Sequence, residues 1–201
     1  MNRFVSSLLP LALLVPAAAL VAQGSPDAAA VKAGSYTIDP SHTLVQFGVN
    51  HLGFNEYFGT LPGATGTMSL DPKRLAATTL DVSLPVARIS TTNATLDGEL
   101  KSADWFDADK YPTIRFVSQA VTQTGPRTAR ISGTVTMHGV SKPMVLDATF
   151  GGAGVNPLSK AYTAGFKATG TVKRSDFGVT KYVPLVGDAV TLTITAAFEQ
   201  K

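Results

Sequence analysis

From Ser35 to the carboxyl terminus, apolar and polar positions alternate with a period of two almost without pause. Val45, Phe47 and Val49 fall on one face of a first strand, Ala64, Gly66, Met68 and Leu70 on one face of a second, and Leu80, Val82, Leu84 and Val86 on one face of a third. Ile114, Phe116 and Ser118 follow, and beyond the turn signal Thr124-Gly125-Pro126 the set Ala129, Ile131, Gly133, Val135 and Met137 faces away from Ser132, Thr134, Thr136 and His138. A turn is expected over Gly139-Val140-Ser141-Lys142-Pro143, after which Met144, Leu146, Ala148 and Phe150 resume the pattern. Gly151-Gly152 reads as the opening of a loop to about Ser159; Tyr162, Ala164, Phe166, Ala168, Gly170 and Val172, then Val190, Leu192, Ile194, Ala196 and Phe198, complete the series. Strands with one apolar face and one face of threonine, serine or charge, joined by short connections, predict an all-β chain: an extended antiparallel barrel of about eight strands. Closure is favoured over two open sheets because small residues (Gly66, Gly133, Ala164, Gly170) recur on the apolar face, where curvature requires them. They also leave volume unfilled, and a barrel of this size either fills with side chains or holds one small ligand.

The alternation breaks between Ala87 and Pro112. Asn93 to Leu100 reads as a short helix capped by Thr91-Thr92, with Leu96 and Leu100 one turn apart on one face and Gly98 weakening it. Asp104, Asp107, Asp109 and Pro112 then exclude a strand while delivering Trp105, the single tryptophan, and Phe106 to the start of the next one. A short helical insertion is therefore expected across one barrel end, where Trp105 and Phe106 either plug the core or meet a ligand.

Composition sets the compartment and the stabilising forces. Arg3, an apolar run from Phe4 to Val21 and small residues beyond it have the layout of a secretory signal peptide over 1–24, with 25–34 a flexible mature amino terminus and 35–201 the barrel. The expected location is periplasmic or secreted. The chain has 201 residues, 44% of them hydrophobic, and no cysteine, so stability rests on packing and strand pairing without disulfides. Of 17 lysines and arginines Arg3 lies in the leader, and the remaining 16 against 14 acidic residues, with no run of like charge, argue against nucleic acid.

Catalytic patterns are missing: there is no Gly-x-Ser-x-Gly elbow, His-Glu-x-x-His pair, phosphate loop or dinucleotide fingerprint. His42, His51 and His138 fall at distant strand ends, so no metal centre is expected of them, and Asp104, Asp107 and Asp109 lack calcium-loop spacing. Arg174-Ser175-Asp176-Phe177-Gly178 follows directly on an inward-alternating strand. Arg174 and Asp176 are therefore polar rim candidates: Arg174 either pairs with Asp176 or an acidic residue of the crossing and pins a loop, the preferred reading, or meets a polar ligand head.

Four separated motifs carry a family resemblance. They are Tyr36-Thr37-Ile38-Asp39-Pro40-Ser41-His42-Thr43-Leu44-Val45-Gln46-Phe47, Phe106 to Phe116, Gly133 to Pro143, and Arg174 to Gly178 together with Val186-Gly187-Asp188-Ala189-Val190. In this order, over about Ser35 to Phe198, the chain resembles the YceI family. The resemblance implies a lipocalin-like barrel, exported, that binds a long apolar chain such as a polyisoprenoid, an isoprenoid quinone or a fatty-chain lipid. It implies a binding protein without chemistry of its own and without a cofactor beyond a bound lipid. Two departures stand out: Glu99-Leu100 replaces the histidine usual before leucine, and Trp105-Phe106 replaces a phenylalanine pair.

Each methylene moved from water into an apolar tunnel contributes about 0.8 kcal/mol, so a carrier needs no strong polar contact. Shared parity within each strand predicts that Val45, Phe47, Val49, Met68, Leu80, Val82, Ile114, Phe116, Val135, Met137, Phe166 and Val172 line the interior, with Trp105 and Phe106 near an end. Expected partners are the lipid, transient contact with a membrane surface, and no nucleic acid, for a monomer or homodimer. Two competing readings are a small outer-membrane barrel with its apolar faces turned outward and an enzyme using Arg174, Asp176 or a histidine on a bound lipid.

Overall fold

The computed structural model describes residues 24–201, so the leader expected over 1–24 lies outside the described residues apart from Gly24. Ten strands occur in chain order: β1 (Gly34–Ile38), β2 (Leu44–His51), β3 (Asn55–Pro62), β4 (Thr65–Leu70), β5 (Thr79–Pro85), β6 (Thr113–Gly125), β7 (Thr128–Met137), β8 (Val140–Val155), β9 (Tyr162–Lys173) and β10 (Val186–Gln200). One helix, α1 (Ala94–Lys101), lies between β5 and β6.

Eight strands close a ring in the order β1-β4-β5-β6-β7-β8-β9-β10 and back to β1, each pair antiparallel. The closure depends on the length of β10. Its carboxyl-terminal end pairs with β1 (Ile38 opposite Phe198), while its earlier part pairs with β2 (Thr195 opposite Leu44, Val190 opposite Val49). β1 and β2 thus act as two halves of one wall strand, stitched across the break by Asp39 N–H to the Ala197 carbonyl at 2.9 Å and Ala197 N–H to Thr43 Oγ1 at 3.1 Å. β3 extends β2, and its far edge meets the wall through a bridge between Thr60 and Ser90.

The apolar sides turn inward. Two clusters of buried residues line successive lengths of the barrel, one around Tyr36, Met68, Phe150 and Phe198, the other around Val45, Ile114, Trp105 and Phe177. Outward positions carry Thr191, Thr193 and Thr195 on β10 and exposed ion pairs on the wall, Arg115 with Asp81 at 2.6 Å and Arg130 with Asp147 at 3.0 Å. Charges at mid-wall and apolar side chains inside are the reverse of what an outer-membrane barrel presents to lipid.

Several boundaries differ from those expected of the sequence. β1 and β3 were not among the expected strands; in β3 the neighbouring aromatics Tyr57 and Phe58 hide an alternation in which Tyr57, Gly59 and Leu61 face inward. The turn expected over 139–143 is only His138-Gly139, both with positive φ (51° and 75°), as a two-residue hairpin requires. The loop expected over 151–159 begins later, because β8 runs through a bulge near Gly151 to Val155. A second bulge at Gln119 reverses the parity of β6, so Val121 joins Ile114 and Phe116 inside. Val86 sits in a single 3₁₀ turn past the end of β5, and α1 is capped by Asn93, whose side chain accepts from Thr95 N–H and Leu96 N–H, in place of Thr91-Thr92. The stretch read as a flexible amino terminus is docked: Ser25 exchanges both backbone hydrogen bonds with Ala153, and Val31 is buried.

Candidate functional site

The barrel encloses two apolar chambers in series, of about 320 Å³ and 310 Å³. Each falls at the small end of the range of ligand pockets, roughly 300–1,000 Å³. Val45, Leu84, Ile114, Val135, Met144 and Leu192 border both, so the chambers meet at a waist with no polar side chain in it. The amino-terminal chamber takes Met68, Leu80, Val82, Phe116 and Phe166; the helix-side chamber takes Phe47, Val49, Trp105, Phe106, Met137 and Val172. With Val45, Ile114 and Val135 at the waist, the twelve wall residues named as lining the interior each border a chamber, whereas Val86, Ser118, Tyr162 and Ala164, which share the apolar parity, border neither.

The inner-wall glycines have a more specific role than leaving room. A Cβ at Gly133 would stand 2.6 Å from the Phe116 ring, and one at Gly59 only 2.2 Å from that of Phe47. These two glycines are notches that receive phenyl rings, so the open volume comes from the barrel's girth and the scarcity of large side chains across its axis.

The docked segment lines the floor of the amino-terminal chamber with Ala28, Ala29 and Val31, beside the β6–β7 turn, whose exposed Gln123, Pro126, Arg127 and Thr128 also border it. Tyr36 is fully buried and donates its hydroxyl to the Lys32 carbonyl at 2.5 Å; burial, with Tyr162 nearby, pushes its phenol up to about 12. Periodicity gives no sign of this floor, because an alanine-rich segment before the first strand has no face to read.

Polar groups gather at the opposite end. His51, Tyr57, Thr91, Glu99, Arg174 and Tyr182 border the helix-side chamber. Glu99, at the position where a histidine was expected of the resemblance, accepts from Trp105 Nε1 at 3.1 Å and lies 3.4 Å from Lys181 Nζ. Lys181 also donates to Asp104 at 3.0 Å, the contact that chiefly raises its pKa. Trp105 meets Tyr182 edge to face at 6.1 Å. The crossing and the 180–186 loop are thereby clasped over the chamber.

Arg174 is 4% exposed and does not pair with Asp176. Its guanidinium donates to four backbone carbonyls, those of Val179, Lys181, Val186 and Gly187, at 2.8–2.9 Å, and lies 5.4 Å from the Trp105 ring centre. Burial draws its pKa down, with the Asp188 charge opposing. The acidic residue that organises the turn is Asp188, which accepts from Ser175 N–H at 2.9 Å and Ser175 Oγ at 2.8 Å; the backbone bond is the main cause of its lowered pKa. Asp176 is exposed and borders neither chamber, a correction to its expected place on the rim: Arg174 spends its donors on carbonyls, and nothing draws Asp176 inward. Gly178 ends the turn in the left-handed region at φ 79°.

The histidines stay apart. His42 meets Asp39 on the surface, His51 packs against Tyr57, and His138 Nδ1 contacts the Phe177 carbonyl at 2.9 Å. Among the described residues no three His, Cys, Asp or Glu side chains converge as metal ligands.

Comparison with known proteins matches residues 36–198 to the YceI-like domain. A UPF0312 protein of Pseudomonas savastanoi pv. phaseolicola is 41% identical over 149 residues, covering 73% of this chain and 77% of the relative. Among solved structures, Burkholderia cenocepacia BcnA superposes with a TM-score of 0.72 at 22% identity, over 80% of this chain and 98% of that one. A polyisoprenoid binding domain from Saccharophagus degradans superposes with a TM-score of 0.61 at 11% identity, over 85% and 100%. At these identities the two structures show a shared fold.

Proposed function

The chain belongs to the YceI-like domain family, and from that membership and its cavity we propose that it is an exported, non-enzymatic carrier or store for one long-chain amphiphile: a polyisoprenoid, an isoprenoid quinone or a fatty-chain lipid. The observation that carries the reading is the pair of apolar chambers joined at an apolar waist. The apolar chain threads both, and the polar head lies at the helix-side end beside His51 and Glu99, while the donors of Arg174 are largely taken by carbonyls and the Thr91 hydroxyl by Asp97. The printed name of the Saccharophagus domain, polyisoprenoid binding, supports the same ligand class.

Magnitudes favour long ligands. Association costs about 4–15 kcal/mol in lost freedom, and each buried methylene returns about 0.8 kcal/mol, so on the order of ten or more must be enclosed before binding is tight. One chamber of the observed size serves a short chain poorly; both in series suit a long one.

Trp105 is the single tryptophan and borders the helix-side chamber, so its emission reports on occupancy. Titration of delipidated protein with a long prenol or long-chain quinone is expected to shift that emission saturably at about one equivalent. An unchanged spectrum, with no ligand retained on gel filtration, contradicts the proposal.

A further inference from the structure

The helix-side rim carries an apolar surface that the interior cavity does not account for. Leu52, Phe54 and Phe58 on the β2–β3 hairpin and Tyr182 and Leu185 on the loop before β10 are all exposed, Phe54 at 86% and Leu185 at 65%. The two segments form one surface, since Leu52 N–H donates to the Leu185 carbonyl at 3.0 Å and His51 pairs with Val186. Leu52 and Tyr182 both hold left-handed backbone, with φ of 57° and 61°, an unusual conformation for large side chains. The two tips, 50–55 and 182–187, contain no Asp, Glu, Lys or Arg; Glu56 and Lys181 stand just outside them. The surface is continuous with the chamber, for His51, Tyr182 and Val186 border it from within. A soluble protein rarely gathers this many large apolar side chains on one rim without a partner.

We propose that this rim seats on a phospholipid bilayer, with Phe54, Leu52 and Leu185 entering the interfacial layer beside the mouth of the helix-side chamber. The inference rests on the carrier reading: a cargo with a long apolar chain resides in membranes, and an apolar edge at the chamber mouth lets the chain pass without crossing water. The partner chemistry follows from the missing charge. A tip of aromatic and aliphatic side chains without lysine or arginine binds through buried apolar area, not through anionic headgroups. Basic residues occur at both ends, Lys73, Arg74, Arg127 and Lys160 around the turns of the opposite end and Lys110, Lys142 and Lys181 flanking the rim; docking through any of these would depend on anionic lipid and on salt.

The test is flotation of the mature protein with phosphatidylcholine vesicles, with and without phosphatidylglycerol, at low and high salt. Wild type is expected to float in all four conditions. Phe54→Asp with Leu185→Asp is expected to lower the bound fraction about tenfold or more, whereas Leu158→Asp, at a residue 90% exposed on the β8–β9 loop, leaves it unchanged. Because the substituted side chains are exposed, folding and the Trp105 titration stay as in wild type. Wild-type protein that takes up ligand yet ignores vesicles overturns the docking surface and leaves the carrier standing; protein that takes up no ligand removes the carrier reading itself. Flotation that requires phosphatidylglycerol and vanishes in salt assigns docking elsewhere and overturns the proposal. So does a change in oligomeric state in the Phe54→Asp, Leu185→Asp variant, which would make the rim a contact with a second copy.

Discussion

Arg174 is a buried cation whose ligands are four neutral carbonyls, and its removal leaves those oxygens facing each other without donors. Arg174→Ala is expected to destabilise the protein by about 3 kcal/mol or more, read by denaturant unfolding, while Asp176→Ala stays within about 0.5 kcal/mol; equal effects would contradict this assignment. A lysine cannot replace the planar fork, so Arg174→Lys should recover little. Asp188 gives a pH signature. Its carboxyl is held below the ordinary range by the Ser175 contacts, so its stabilising effect is complete above the unfolded value of about 3.9 and is lost as pH falls through the lower folded value. Asp188→Asn should therefore lose stability near neutral pH by about 1–2 kcal/mol, with the gap to wild type closing in acid; a gap independent of pH would count against it. The sequence marks 174–178 as a special turn because charge and glycine interrupt an alternating run. Residue chemistry alone does not mark the partners, since backbone carbonyls have no residue signature and Asp188 lies thirteen residues from Ser175; only the motif Val186 to Val190, among those that carry the family resemblance, points to them.

At the level of elements, the waist decides whether the two chambers act as one tunnel. Val135→Phe adds a ring at a position that borders both. It is expected to weaken a long prenol about tenfold or more, since each methylene it excludes forfeits about 0.8 kcal/mol, while a fatty chain short enough for one chamber binds nearly as in wild type. Equal losses for both ligands, measured by Trp105 emission, would mean that the chambers work separately. The strands were legible wherever parity was strict: β2, β5, β7, β9 and β10 read directly from their alternation. Legibility failed where something local intervened. The bulge at Gln119 shifts the parity of β6, consecutive aromatics mask β3, and α1 takes its cap from Asn93 because that side chain reaches Thr95 N–H and Leu96 N–H. The roof residues Ile89, Val179 and Tyr182 come from irregular backbone without a period to betray them.

For the whole molecule, the same alternation that predicts a barrel is silent on which side faces water; chamber walls inside and ion pairs such as Arg115 with Asp81 outside answer that. The molecule is also polar along its axis. A docked amino-terminal segment and the β6–β7 turn border one end, and a clasp of Glu99, Trp105, Lys181 and Asp104 beside an apolar rim marks the other. The most direct measurement is mass spectrometry of organic extracts from protein purified without detergent from its native host. The expected result is one dominant long-chain amphiphile at about one per barrel, at clearly lower occupancy in Val135→Phe protein prepared alongside. Wild-type protein that yields no lipid, and takes none up when offered, would contradict it.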